Sequence, residues 1–208
     1  MIGREAEARQ FCAERTDSGG LGRLERLAIL LAEENERQNL VSVASLASVW
    51  QRHFADSLQL LDQVPRGTSP WLDLGTGAGF PGLALAAAAP ESSFVLMESR
   101  KRRVDWLTRA AADLGLENCR VVGARVENVE TFPAAVIVAR AFAPLGKLLR
   151  LSARFSTPAT VWLLPKGRSA AQEWAEQPDG VREMLHVEQS ATDAAGGILV
   201  GRGAPQLP

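Results

Sequence analysis

Apolar side chains at Leu24, Leu27, Ala28, Leu31 and Ala32 recur at the i, i+3, i+4 spacing of one helix face. The pattern predicts an amphipathic helix over residues 21–38. Asn39, Leu40, Val41 and Ser42 interrupt it, residues 46–50 and 54–61 are read as two further short helices, and the Pro/Gly/Ser cluster at 65–70 is read as a loop. A helical prelude is therefore expected over 1–65. Beyond it, short apolar runs at 71–74, 94–97, 120–122, 135–139 and 161–164 alternate with helical stretches. Strands alternating with helices need crossover connections, which predict a mostly parallel sheet with helices on both faces. Residues 181–188 and 198–201, joined by a turn through Ala195, Gly196 and Gly197, are expected to complete seven strands with an antiparallel edge. The prelude is expected to pack on this α/β domain, 66–208, as a single compact unit.

A hydrophobic share of 46% and a charged share of 23% over 208 residues exclude a disordered chain and suffice for a buried core. Cys12 and Cys119 are the only cysteines and have no partner at zinc or redox spacing, so both are read as reduced thiols and no metal is expected. The opening residues carry charge where a secretion signal needs an apolar stretch, and no run approaches the roughly 18 apolar residues of a membrane span. These features suggest a cytoplasmic protein without a membrane partner. A net charge of −1 argues against a phosphate-binding surface until its distribution is counted. Residues 99–168 hold thirteen Lys/Arg against five Asp/Glu, a local +8 that leaves −9 for the rest. The basic excess thus lies within the α/β domain.

The most informative stretch runs Trp71-Leu-Asp-Leu-Gly-Thr-Gly-Ala-Gly-Phe-Pro-Gly82, a strand entering a glycine turn and then a helix expected to begin at Pro81. Gly75, Gly77 and Gly79 allow a sharp turn and close approach of a ligand to the backbone. The dinucleotide fingerprint requires glycine at position 80, where this chain has Phe80. Asp73, just before the turn, would repel a pyrophosphate and attract an ammonium group. Glu98 ends the next strand, 23 residues after Gly75, where an acidic side chain accepts from two ribose hydroxyls. Together these predict a Rossmann-like site for a nucleoside cofactor with an ammonium and no phosphate, which S-adenosylmethionine satisfies. A dinucleotide-binding oxidoreductase using NAD, a methyltransferase of small molecules or proteins, and a non-catalytic binding module remain open at this point.

Asn39-Leu-Val-Ser-Val43, Arg52-His-Phe-Ala-Asp-Ser57, the glycine segment 73–82 and Arg140-Ala-Phe-Ala-Pro-Leu145 stand in an order and spacing that closely resembles the RsmG (GidB) family. These are small-subunit 16S rRNA guanine-N7 methyltransferases of the class I, Rossmann-like fold. The likeness runs from about Leu24 to Gly167 and includes Glu98-Ser99, Arg102-Arg103 and Lys166-Gly167. It implies S-adenosylmethionine as cofactor and 16S rRNA or the small ribosomal subunit as partner; a monomer is the separate expectation for the chain. It also implies cofactor contacts from Gly75, Phe80, Glu98, Val126, Glu127 and Arg140. Two departures stand out: glutamate replaces the family's commoner aspartate at position 98, and Arg100-Lys101 replaces a small or glycine-containing pair.

Guanine N7 offers a lone pair without deprotonation, so alignment and electrostatics suffice and no nucleophilic side chain is needed. The sequence agrees, having no tyrosine, no Asn-Pro-Pro-Tyr and no Pro-Cys. Arg140 and His53 are the candidate catalytic residues, although His53 also suits helix packing. Arg102, Arg103 and Lys166 are the candidate RNA contacts, and the five tryptophans are expected mainly in the core.

Overall fold

A computed structural model describes residues 1–207. The prelude contains α1 (Glu5–Ala13), α2 (Ser18–Gln38), α3 (Val43–Leu46), a π-helical turn (Trp50–Ala55), α4 (Asp56–Leu58) and a 3-10 turn (Gln59–Gln63). Asp17 caps α2 by accepting from the Gly20 amide at 2.7 Å, and Asn39 ends it in the left-handed conformation. Leu24, Leu27 and Leu31 are fully buried, each contributing about 1.5–3 kcal/mol. They join one apolar cluster with α5 (Gly82–Ala88) and the sheet. Glycine or alanine at five of its seven positions lets α5 lie buried along its whole length, with α2 packed against it. The expected helices at 46–50 and 54–61 are broken differently, because the chain passes through the π turn at Trp50–Ala55. Helix α1 has no counterpart among the expected elements. Its short, weakly patterned apolar positions become informative only when Ala8 and Cys12 are seen buried.

The strands are β1 (Trp71–Leu74), β2 (Phe94–Met97), β3 (Cys119–Val122), β4 (Val136–Val138), β5 (Val161–Gly167), β6 (Leu185–Gln189) and β7 (Gly197–Arg202). They form one seven-stranded sheet in the order β3-β2-β1-β4-β5-β7-β6. The first five are parallel, and β7 runs antiparallel between β5 and the edge strand β6. Between them lie α6 (Lys101–Asp113), α7 (Leu145–Ser152), α8 (Ala170–Ala175) and α9 (Asp179–Met184). The strand expected from 181 starts four residues later because residues 179–184 are helical. Val181 and Leu185 satisfy helical and strand periods alike over so short a span, and Pro178 sets the helix start. Successive connections reverse direction between β1 and β4, so a crevice opens beyond their carboxyl ends.

Candidate active site

At the end of β1 the chain turns through Gly75, Gly77 and Gly79, all with positive φ. Gly75 is required twice over: its φ is 65°, and an added Cβ would lie 2.4 Å from the Phe142 ring. The Gly75 and Thr76 amides both donate to the Met97 carbonyl of β2, at 2.8 and 3.1 Å. From α6 the Trp106 indole donates to Ala78 at 3.0 Å, pinning the turn from the other side. Asp73 is buried beneath it and accepts from the Gly82 amide through Oδ2 at 2.8 Å. Its Oδ1 and the Thr76 hydroxyl are buried without hydrogen-bond partners. Burial pushes the Asp73 carboxyl up to about 6, opposed by the nearby Thr76 hydroxyl and the Gly82 amide. An unpartnered carboxyl oxygen beside an unpartnered hydroxyl fits an ammonium ligand and disfavours a pyrophosphate.

A cleft of about 480 Å³ lies above the turn, lined in part by Gly75, Glu98, Val126, Glu127 and Phe142. Val126 is buried and Glu127 exposed at the start of a 3-10 turn beyond β3. Glu98 is 4% exposed and accepts from the Ser99, Arg100 and Gly77 amides at 2.8, 2.9 and 3.2 Å. The Arg100 guanidinium adds two contacts of 3.3 Å. Burial resists ionisation of Glu98, but Arg100 and these amides outweigh it and hold the carboxyl below its ordinary range.

A second cleft, of about 930 Å³, shares the segment Ala141, Phe142 and Ala143 with the first. His53, Asp56 and Arg140 line it. Arg140 donates to Asp56 Oδ2 at 3.2 Å and the Arg52 carbonyl at 3.3 Å, and its Nη2 lies 3.3 Å from His53 Nδ1. The His53 ring stacks on Phe80 at 4.6 Å, and the Arg140 guanidinium lies 5.4 Å from the same Phe80 ring. One arginine therefore ties the π turn of the prelude to the end of β4 and to the glycine loop. Burial, then Arg140 and Arg52, push His53 down to about 3, so its imidazole is neutral.

The family model described as GidB, rRNA small subunit methyltransferase G, matches residues 21–197. The chain belongs to this family. It is 60% identical to ribosomal RNA small subunit methyltransferase G of Erythrobacter litoralis, covering 98% of each chain. With the protein of the same name in Novosphingobium aromaticivorans the identity is 52%, over 95% of this chain and 88% of the relative. Its fold is shared with a SAM-dependent methyltransferase from Aquifex aeolicus, with a TM-score of 0.57, 15% identity and coverage of 82% and 97% of the two chains. A point mutant of MtNAS, solved in complex with S-adenosylmethionine, gives a TM-score of 0.55 at 16% identity over 96% of this chain and 77% of that one.

Within this methyltransferase, Gly75, Glu98, Val126 and Glu127 line the smaller cleft at the carboxyl ends of the first three strands, whereas Gly77, Gly79, Phe80 and the buried Asp73 form or support the turn beside it. Arg140 and His53 meet on the wall of the second cleft. Arg102 and Arg103 lie on α6, where they donate to the Arg37 and Asn39 carbonyls at 3.2 and 3.0 Å and cap the end of α2. Lys166 has a side chain 6% exposed, 2.9 Å from both the Ala143 carbonyl and Glu173. Glu173 also accepts from the Leu145 amide at 2.9 Å, so this ion pair braces both ends of the segment 143–145. Replacing Lys166 by Met should lower unfolding stability by about 2 kcal/mol, read from the denaturant midpoint, because Glu173 and Ala143 lose a charged donor. An unchanged midpoint with a shallower salt dependence of RNA binding would instead make Lys166 a phosphate contact.

Phe142 and Thr76 lie in the quoted motifs and Trp106 is in the core as expected, but no site role is expected from the sequence for any of the three. Trp106 and Phe142 carry ordinary core signals, and nothing in the local pattern shows that they hold or cover the glycine turn. Among the described residues no group of three or more His, Cys, Asp or Glu is placed to hold a metal, and no helix is long and apolar enough to cross a membrane.

Proposed function

We propose that this methyltransferase transfers a methyl group from S-adenosylmethionine to N7 of a guanosine in 16S rRNA of the small subunit. The observation that carries the choice of atom is the state of the two titratable groups that Arg140 engages on the wall of the second cleft. His53 is held neutral at about 3 with Nδ1 engaged by Arg140, and both Asp56 oxygens accept hydrogen bonds. Neither is poised to remove a proton, which suits a ring nitrogen with a free lone pair. S-adenosylmethionine supplies the electrophilic methyl on a sulfonium.

Asp73 and Thr76 are assigned to the ammonium of the donor, with Gly75, Gly77 and Gly79 giving its backbone approach. Glu98 is assigned to the ribose hydroxyls, which would take the place of the Arg100 side chain, and Val126 and Glu127 flank the adenine. Phe80 supports this loop, while Arg140 and His53 hold the wall between donor and base. Arg102 and Arg103, with exposed Arg37 and Lys101 nearby in sequence or space, are assigned to the RNA backbone, whose attraction weakens with salt. A ribosomal substrate supports a reaction in the cytoplasm.

Labelled donor incubated with small subunits from a modification-deficient strain should yield 7-methylguanosine in 16S rRNA, mapped by mass spectrometry. With donor and subunit saturating, kcat should show no inflection near pH 6.5, the ordinary histidine range. Label on another atom, or on another RNA only, would overturn the reading.

A further inference from the structure

Three carboxylates line the larger cleft among the described residues: Asp56, Glu173 and Asp193. Asp56 Oδ1 accepts from Thr192 and Gln59 at 2.8 and 3.0 Å, and its Oδ2 from Arg140. Glu173 Oε1 accepts from Ser169 at 2.8 Å, and its Oε2 takes Leu145 and Lys166. Asp193 differs: its Oδ1 accepts from the Ala195 amide at 3.0 Å, while its Oδ2 has only Arg52 at 3.7 Å, beyond hydrogen-bond reach. The loop that carries it is fixed rather than free. Ser190 and Gly196 are joined at 3.0 Å, the Gly196 amide donates to the Asp193 carbonyl at 2.9 Å, and the Ala191 amide donates to Gln59 at 2.8 Å. Two of these anchors, Gln59 and Asp56, belong to the prelude, so the connection between β6 and β7 is held against the wall that carries Arg140.

We infer that Asp193 reads the Watson–Crick edge of the target guanine, accepting its N1–H and exocyclic N2–H on the open carboxylate oxygen. The inference rests on the guanosine-N7 reading and names the base contact within the same site. A guanine so held keeps N7 on its opposite edge, free to face the segment 141–143 shared with the donor cleft. Adenine presents a lone pair at N1, which a carboxylate repels. Methyl transfer makes the purine cationic and its N1–H a stronger donor. The contact with Asp193 therefore strengthens toward the transition state and raises rate as well as selectivity. No proton leaves the base, and the electron pair of the breaking S–C bond stays on sulfur.

The test is a cycle of Asp193→Asn against small subunits reconstituted with guanosine or inosine at the mapped nucleotide. Inosine keeps N1–H and lacks the N2 amino group. Asparagine retains the oxygen that holds the Ala195 turn, so the loop survives the change, and unchanged donor affinity with a matched thermal melt confirms it. On guanosine the variant should lose about 10-fold to 100-fold in kcat/KM. On inosine the loss should be at least about fivefold smaller, because one of the two contacts is already absent. Equal losses on the two substrates, or no loss on guanosine, would overturn the assignment while leaving the methyltransferase reading intact. If wild type forms no 7-methylguanosine at all, the underlying reading fails instead.

Discussion

Asp73→Asn should give a protein at least as stable as wild type that has lost its donor. The buried carboxyl is raised from 3.8 to about 6, so ionising it at neutral pH costs the fold free energy. For a group raised in the folded state, stability is greatest below the unfolded value and is lost as pH rises through the folded one. Asparagine keeps an oxygen for the Gly82 amide, and its new amide can donate to the unpartnered Thr76 hydroxyl. The variant should therefore gain about 1–3 kcal/mol over wild type at pH 8, a margin that fades below about pH 4. Donor affinity should fall by at least about 100-fold, the effect of removing one partner from a buried ion pair. In wild type the affinity should weaken by up to about tenfold per pH unit below about 6, whereas the asparagine variant should show no such slope. Denaturant midpoints at the two pH values and calorimetric titration of the donor check each part. Tight, pH-insensitive binding by the variant would remove Asp73 from the site.

Arg140→Ala should cost about 100-fold in kcat/KM for rRNA methylation. The loss leaves Asp56 Oδ2 and His53 Nδ1 without their donor and unties the π turn from the cofactor loop. Small misplacements of a reacting pair cost rates of this order. Lysine should rescue little of it, since a single ammonium cannot span Asp56, the Arg52 carbonyl and His53 in one plane. A folded alanine variant with kcat/KM within about threefold of wild type would show that the tether is dispensable. Single-turnover rates with saturating donor separate this alignment effect from weakened binding.

The parallel core of the sheet was legible because each buried strand is a short apolar run between turn signals, and registers such as Trp71 to Phe94 bring those runs side by side. Asp73, the glycines and Glu98 were legible for a related reason: a positive φ or a buried acceptor at a strand end restricts residue type locally. Their detailed states were not. That Asp73 has one oxygen orphaned, and that Glu98 is clasped by Arg100, depends on which atoms from distant segments fill the surrounding space. Lys166 shows the same gap in reverse. Its charge and motif suggest phosphate, yet folding places it against Ala143 and Glu173, which lie 23 and 7 residues away.

By itself the sequence determined the strand–helix alternation, the glycine turn and its flanking carboxylates, because periodicity and backbone freedom act over a few residues. Only the tertiary structure decided that the prelude supplies His53 and Asp56 to a cleft whose far wall comes from the 190–197 segment, and that Gln59 anchors that wall through the Ala191 amide. Contacts spanning more than a hundred residues, such as Asp56 with Thr192, leave no local period to read. They arise when burial of α1, α2 and the π turn against the sheet brings polar groups together that must then satisfy one another.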